Sequence, residues 1–345
     1  MVRGSGGVLD GVDVPLIAAP MAGGASTPDL VAAVAGAGAL GFLAAGYRST
    51  EAMAEQIRLT RLRTDRPFGV NLFVPGPDRA DPAALRAYRA RLEPEARTLG
   101  VELGEPRWHD DDFAAKVDAL IADPVPHVGF TFGLPPERAV AALRKAGTVV
   151  TVTVTSAAEA SAAARSGADA LCVQGPEAGG HRGTFDDTGR RGAAATLEQV
   201  LAEVRAAVAL PLVAAGGIAD ADAAHSVRAA GAVAAQAGTA FLRTAESGAK
   251  ATHKDALADE RFQRTAVTRA FSGRSARGLA NAFLRRHSAH APAAYPHVHY
   301  LTGPLRAEAA RVGDADTLHL WAGTSFRSAA AGPAADVVAG IAAGL

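Results

Sequence analysis

The feature that most constrains this chain is an alternation met eight times along it: a short apolar run, a glycine or polar cluster, then a longer stretch with helical spacing. The runs are PLIAAP (15–20), ALGFLA (39–44), FGVNLF (68–73), HVGFTF (127–132), TVVTVTV (148–154), ADALCVQ (168–174), PLVAAG (211–216) and AVAAQAG (232–238). Segments between them, such as TPDLVAAVAGAG and SAAEASAAARSG, open on Ser, Thr, Asp or Pro and close on Gly. Those are start and stop signals for helices. Four units end alike, at Gly38-Ala39, Gly147-Thr148, Gly167-Ala168 and Gly231-Ala232. One unit repeated in this way predicts a closed α/β ring, the (β/α)8 or TIM barrel, ahead of an open doubly wound sheet.

Two stretches break the rhythm and set the expected organisation. The barrel is assigned to 1–74 and 126–248, with a charged helical insertion at 75–125 that is too long for one barrel helix. A helical or lid segment with a His- and Pro-rich stretch, HSAHAPAAYPHVHY, occupies 249–300 and is expected over the top of the barrel. The remainder, 301–345, should close on the barrel through a final helix with Pro333 near its start.

Composition narrows the function classes. Among 345 residues, 35 Lys and Arg balance 35 Asp and Glu, so no excess charge exists to hold a polyanion or an anionic membrane surface. The one cysteine, Cys172, sits in the apolar run ADALCV and reads as a buried thiol. No apolar stretch follows the N-terminus as in a signal peptide, and no run has the length of a membrane span, so a cytoplasmic location is expected.

In a parallel barrel the chemistry collects at the C-terminal ends of the strands. The last two ends, AAGGI (214–218) and QAGTAF (236–241), carry Gly216, Gly217, Gln236, Ala237, Gly238 and Thr239. Glycines there let backbone amides approach a phosphate, and Thr239 adds a hydroxyl donor. Asn71 and Gln174 end two other strands with side chains that donate and accept, as the mixed polar edge of a flavin requires. After Gln174 the run GPEAGGHRG places Gly179 and Gly180 before His181, giving a planar ring room to approach an imidazole that titrates near neutrality. His287, His290, His297 and His299 lack the HExxH or cysteine-pair pattern of a metal site, and none is expected.

Taken in order, PLIAAPMAGG, GVNLFVP, FTFGLP, QGPEAGGHRG, LVAAGGI and QAGTAFL closely resemble the nitronate monooxygenase family, formerly called 2-nitropropane dioxygenases, in its bacterial class I. The resemblance extends to FSGRSARGL (271–279) and YPHVHYLTGPLR (295–306), and departs at Ser275, where proline is expected. It implies FMN, contacted by Asn71, Gln174, Gly179, Gly217 and the run Gln236 to Thr239, with Met21 beside the isoalloxazine. It implies catalysis at His181, and substrate-pocket positions for His127, Tyr295, His299 and Tyr300. The implied reaction is oxidation of an alkyl nitronate such as propionate 3-nitronate by O2, giving a carbonyl compound and nitrite. The partners are then the small anionic nitronate and O2, with a homodimer left open. Within the fold, NAD(P)H-dependent quinone or enoyl-thioester reductases share such a loop and phosphate site; a non-redox barrel acting on a phosphorylated substrate is the more distant reading.

Overall fold

In a computed structural model, residues 7–188 and 195–345 are described. The expectations that fall on 1–6, including the start of the barrel and of the N-terminal reading, lie outside the described residues. Six strands come first: β1 (Leu16–Ala18), β2 (Leu40–Ala44), β3 (Phe68–Phe73), β4 (His127–Thr131), β5 (Val149–Val154) and β6 (Ala170–Gln174). The short β7 (Gly180–His181) follows, then β8 (Leu212–Ala215), β9 (Ala234–Ala237), β10 (Thr265–Thr268) and β11 (Ala276–Leu279). β1 to β6, β8 and β9 form a closed parallel barrel, sealed where β9 pairs with β1. All eight apolar runs supply these strands. β7 leaves the ring and joins β11 and β10 in a small antiparallel sheet of its own.

Local chemistry explains the repeat. Side chains of Thr27, Ser49, Ser156 and Asp220 accept backbone N–H groups at their helix starts, and Thr196 with Gln199 makes a reciprocal capping box. The repeated glycines leave the helices through the left-handed region, with φ of 85° at Gly38, 91° at Gly147, 90° at Gly167 and 96° at Gly231. A side chain is strained there, so each turn into the next strand uses Gly.

Alternation along each strand sorts residues between two cores. On β5, Val150, Val152 and Val154 pack outward in the main core against the helices, while Thr153 faces the barrel interior. Below that interior an apolar cluster including Ile17, Phe42, Cys172 and Val213 fills the barrel, with Val8 packed into it. The thiol of Cys172 is buried and pushed up to about 12 by desolvation. The closing helix, Ala334–Ala342, takes Pro333 as its N-cap and buries Ala334, Val338 and Ile341 in the main core.

The stretch 75–125 divides in two. Helix Phe113–Ala122 puts Val117 and Leu120 into the main core, as a barrel helix does. Helix Pro82–Leu99 packs elsewhere, burying Leu85, Tyr88 and Leu92 in a separate cluster with Phe283, Val298, Leu301 and Leu305. Insertion and lid segment therefore share one core beside the barrel mouth. No helix among the described residues is long and apolar enough to cross a membrane.

Candidate active site

The strand ends open into a cavity of about 620 Å³ roofed by the segments after β9. Its lining places most sequence-predicted residues together: Met21, Asn71, Gln174, Gly179, Gly180 and His181, and also Gly216, Gly217, Gln236, Gly238, Thr239 and His299. Ala237 is adjacent but turned into the wall, where its carbonyl accepts the Ala19 N–H at 2.8 Å.

One end of the cavity is a cradle of backbone and hydroxyls. Gly216 and Gly217 have φ of 124° and 73°, and Ser325 Oγ donates to the Gly217 carbonyl at 2.7 Å. Thr239 opens a 3-10 turn, Thr239–Phe241, and its Oγ1 accepts the Gly323 N–H at 3.0 Å. A Cβ at Gly238 would find only Ala19 and Met21 side-chain atoms, at 3.4 Å and beyond, so this glycine leaves room on the cavity side.

Across the mouth, register puts Asn71 beside Gly129, where a Cβ would stand 2.8 Å from Asn71 Oδ1. That oxygen accepts from Thr131 Oγ1 at 3.1 Å, leaving Nδ2 to the cavity. Gln174 has a second task. Its Nε2 donates to the His181 carbonyl at 3.0 Å and its Oε1 accepts the Gly183 N–H at 2.8 Å, so it clamps the segment that carries the histidine.

His181 belongs to a sheet. β7 pairs with β11 through His181 opposite Ala276 and Gly180 opposite Arg277. Just before it, Gly179 lets the backbone at Ala322 and Gly323 come close, because a Cβ would lie 2.5 Å from the Gly323 nitrogen. The imidazole packs against the rings of Trp321, Phe132 and Tyr295 at 5.4, 5.8 and 5.9 Å, and its Nε2 lies 2.8 Å from Ser272 Oγ. Burial, then the nearby Arg274 and Arg306 charges, push its pKa down to about 3, so the ring is neutral. Three more imidazoles share this state through burial: His253 at about 4, His299 at about 2 and His319 well below its ordinary value. Ser275, the departure from the family pattern, uses its N–H to donate to Asp187 Oδ2 at 2.8 Å, a bond proline cannot make.

The insertion reaches this site through Tyr47, which the sequence reading missed. Tyr47 adopts a φ of 66°, with its N–H on Asp111 Oδ1 at 2.8 Å. Asp111 is itself held by the buried Lys116 at 2.8 Å, and Lys116 donates to the Ala45 carbonyl at 3.0 Å. Thus fixed, the Tyr47 ring stacks on His299 at 4.0 Å and its hydroxyl meets Tyr295 Oη at 3.3 Å.

Two expected pocket residues are placed elsewhere. His127 begins β4, so it stands at the floor of the barrel, beside the Phe42 ring at 6.3 Å; burial depresses its pKa to about 4. Tyr300 turns outward under the Arg107 guanidinium, 4.0 Å from the ring centre. Tyr295 sits just behind the cavity surface, packed on His181. The histidines of 287–299 disperse: His287 binds Glu95 at 2.9 Å, His297 binds Asp78 at 2.9 Å, and His299 joins Tyr47. His253, Ser272, His319, Trp321 and Arg306 also line the cavity, and of these Ser272 and Arg306 lie inside motifs already singled out.

Comparison with known proteins fits this geometry. The sequence profile described as Nitronate monooxygenase matches residues 9–344. A "Probable nitronate monooxygenase" of Staphylococcus aureus (strain Newman) is 36% identical over 335 residues, covering 96% of this chain and 94% of that one. The crystal structure of nitroalkane oxidase from Streptomyces ansochromogenes superposes with a TM-score of 0.95 at 50% identity, over 98% of this chain and 97% of the other. FabK from Thermotoga maritima is more distant, with a TM-score of 0.72 and 26% identity over 99% and 95% of the two chains. On this match of sequence and fold along nearly its whole length, the chain belongs to the nitronate monooxygenase family.

Proposed function

We propose that this protein uses FMN to oxidise alkyl nitronates, propionate 3-nitronate among them, with O2, yielding a carbonyl compound and nitrite. The observation that carries the reading is the charge of the cavity. The chain is neutral overall, yet the described lining holds Lys250 and Arg306 and no Asp or Glu, while Arg311 at its rim is paired with Glu308 at 2.6 Å. Such a site favours anions, and both FMN and a nitronate are anions.

The residues present fit FMN. Gly216, Gly217, Gly238, Thr239 and Ser325 form a cradle suited to its phosphate, while Asn71, Gln174 and Gln236 offer polar groups to the ring edge. Bound there, FMN supplies the redox chemistry, taking electrons from the nitronate and returning them to O2. The chain supplies orientation and exclusion of water. The hydrogen bond between His181 Nε2 and Ser272 Oγ fixes the ring in the cavity wall, where the neutral imidazole orients the nitronate. A ring whose pKa is pushed down to about 3 is a weak proton acceptor, so His181 suits a substrate that is already ionised.

Anaerobic mixing tests this. Propionate 3-nitronate should bleach the flavin and NADH should not; bleaching by NADH alone would move the protein to the reductase reading. A protein that never retains FMN on reconstitution would sink both.

A further inference from the structure

Backbone strain gathers on one path through this molecule. Four described residues other than glycine have a positive φ: Tyr47 at 66°, Asp111 at 60°, Asp112 at 53° and Phe132 at 82°. Side chains as bulky as Tyr and Phe resist that region, and they stay in it only where their surroundings hold them. Tyr47 and Phe132 stand in the cavity wall, and a contact joins Tyr47 to Asp111 behind it. Along the wall the rings are continuous. Tyr47 meets Phe73 edge-on at 5.5 Å, Phe73 lies 4.4 Å from Phe132, and Phe132 faces His181 at 5.8 Å. Tyr47 also stacks on His299 at 4.0 Å, with its hydroxyl accepting from Tyr295 Oη at 3.3 Å. Two imidazoles of the wall, His181 and His299, therefore rest on rings whose place depends on Tyr47.

What holds Tyr47 is an ion pair that stability alone does not account for. Asp111 Oδ1 accepts the Tyr47 N–H at 2.8 Å, and Asp111 Oδ2 lies 2.8 Å from Nζ of Lys116, whose side chain is 1% exposed. Lys116 Nζ also donates to the carbonyl of Ala45, two residues before Tyr47, and the Asp111 N–H donates to His109 Nδ1 at 2.8 Å. Helix Phe113–Ala122, which carries Lys116, is anchored in the main core by Val117 and Leu120. Desolvation offsets most of the attraction in a buried ion pair, so an apolar pair would join helix to strand about as well. An apolar pair would offer no acceptor to the N–H of a strained residue. We propose that Asp111 is a positioning residue: with Lys116 it holds Tyr47 in the cavity wall, and through Tyr47 it sets the rings against which His181 and His299 meet the substrate. This rests on the functional reading above, and it gives part of the stretch 75–125 a role in the reaction without contact to the reacting atoms.

The test compares Asp111→Ala/Lys116→Met with Asp111→Asn/Lys116→Met. Neither leaves a buried charge unpaired, and they differ in whether an oxygen remains for the Tyr47 N–H. The alanine pair should lose kcat/KM on propionate 3-nitronate by at least about tenfold with FMN retained, as small misplacements at a reacting site do, and the asparagine pair should recover part of that loss. A double-mutant cycle separates position from packing. In a Tyr47→Gly background, where the backbone adopts a positive φ unaided, the alanine pair should cost no more than about twofold further. Equal losses in both backgrounds would overturn the proposal, as would equal losses in the two pair variants; a collapse of Tm in both would make the ion pair a stability element and overturn it too. Hydrogen exchange reads the same coupling without turnover. The alanine pair should quicken exchange in helix His297–Leu301, which carries His299, and Tyr47→Gly should abolish the difference. Unchanged protection there counts against Asp111 acting through Tyr47. If wild type oxidises no nitronate, the functional reading fails, and the exchange pattern still decides the role of Asp111.

Discussion

The two ends of the barrel carry similar residues in different circumstances. Each has a histidine kept neutral by burial, His181 at the mouth and His127 at the floor, and each has a glycine against an aromatic or apolar neighbour, Gly238 and Gly69. At the floor His127 lies beside Phe42 and makes no side-chain hydrogen bond among those described, and a Cβ on Gly69 would stand 2.3 Å from the Phe42 ring. At the mouth His181 is clamped through Gln174, bonded to Ser272 and open to the cavity, and a Cβ on Gly238 would meet no protein atom closer than 3.4 Å. Residue type and burial are thus shared. What separates chemistry from packing is whether the space beside the residue is filled by the protein or left for a ligand.

The largest expected effect tests that separation directly. His181→Asn should retain FMN but lose turnover on nitronates by at least about tenfold, within the range a positioned acid or base group supplies. His127→Leu should turn over near the wild-type rate. Full activity in His181→Asn, or a comparable loss in His127→Leu, would erase the distinction between mouth and floor.

Much of this arrangement was readable from the chain, and the exceptions have physical reasons. The eight barrel strands are legible because each must be apolar where it lies between core and helices, and the repeated glycines mark turns that side chains resist. β7 was not legible. A strand of two residues has no period, its partner lies near residue 276, and the stretch GGH reads as a loose glycine loop. Arg306 lies within YPHVHYLTGPLR, but an arginine reads as surface until the fold turns it into a cavity. His127 precedes Thr131 by four residues on one strand, about 13 Å at 3.3 Å per residue, so strand geometry alone separates it from the mouth.

The glycine pair gives the next effects. Gly69→Ala forces a carbon into the Phe42 ring and should lower stability by about 1–3 kcal/mol, read as a reduced Tm, with FMN affinity little changed. Gly238→Val should do the converse, holding Tm in the apoprotein while weakening FMN by about tenfold or about 1.4 kcal/mol, because its side chain enters the cradle. Unchanged FMN affinity in Gly238→Val would place the phosphate away from β9.

The smallest effect isolates what the floor histidine costs. Burial lowers the folded-state pKa of His127 to about 4 from an ordinary 6.5. Between those values the unfolded chain binds the proton and the folded chain does not, so stability falls as pH drops through this window. His181, His253 and His299 act in the same direction, and wild type should lose stability steadily below about pH 6.5. Replacing His127 with leucine removes one of these groups. Denaturant titrations of the variant should therefore show a shallower decline from pH 6.5 to 4 than wild type. A slope equal to wild type would mean that His127 takes up its proton in the folded protein, and that the floor is open to water in the way only the mouth should be.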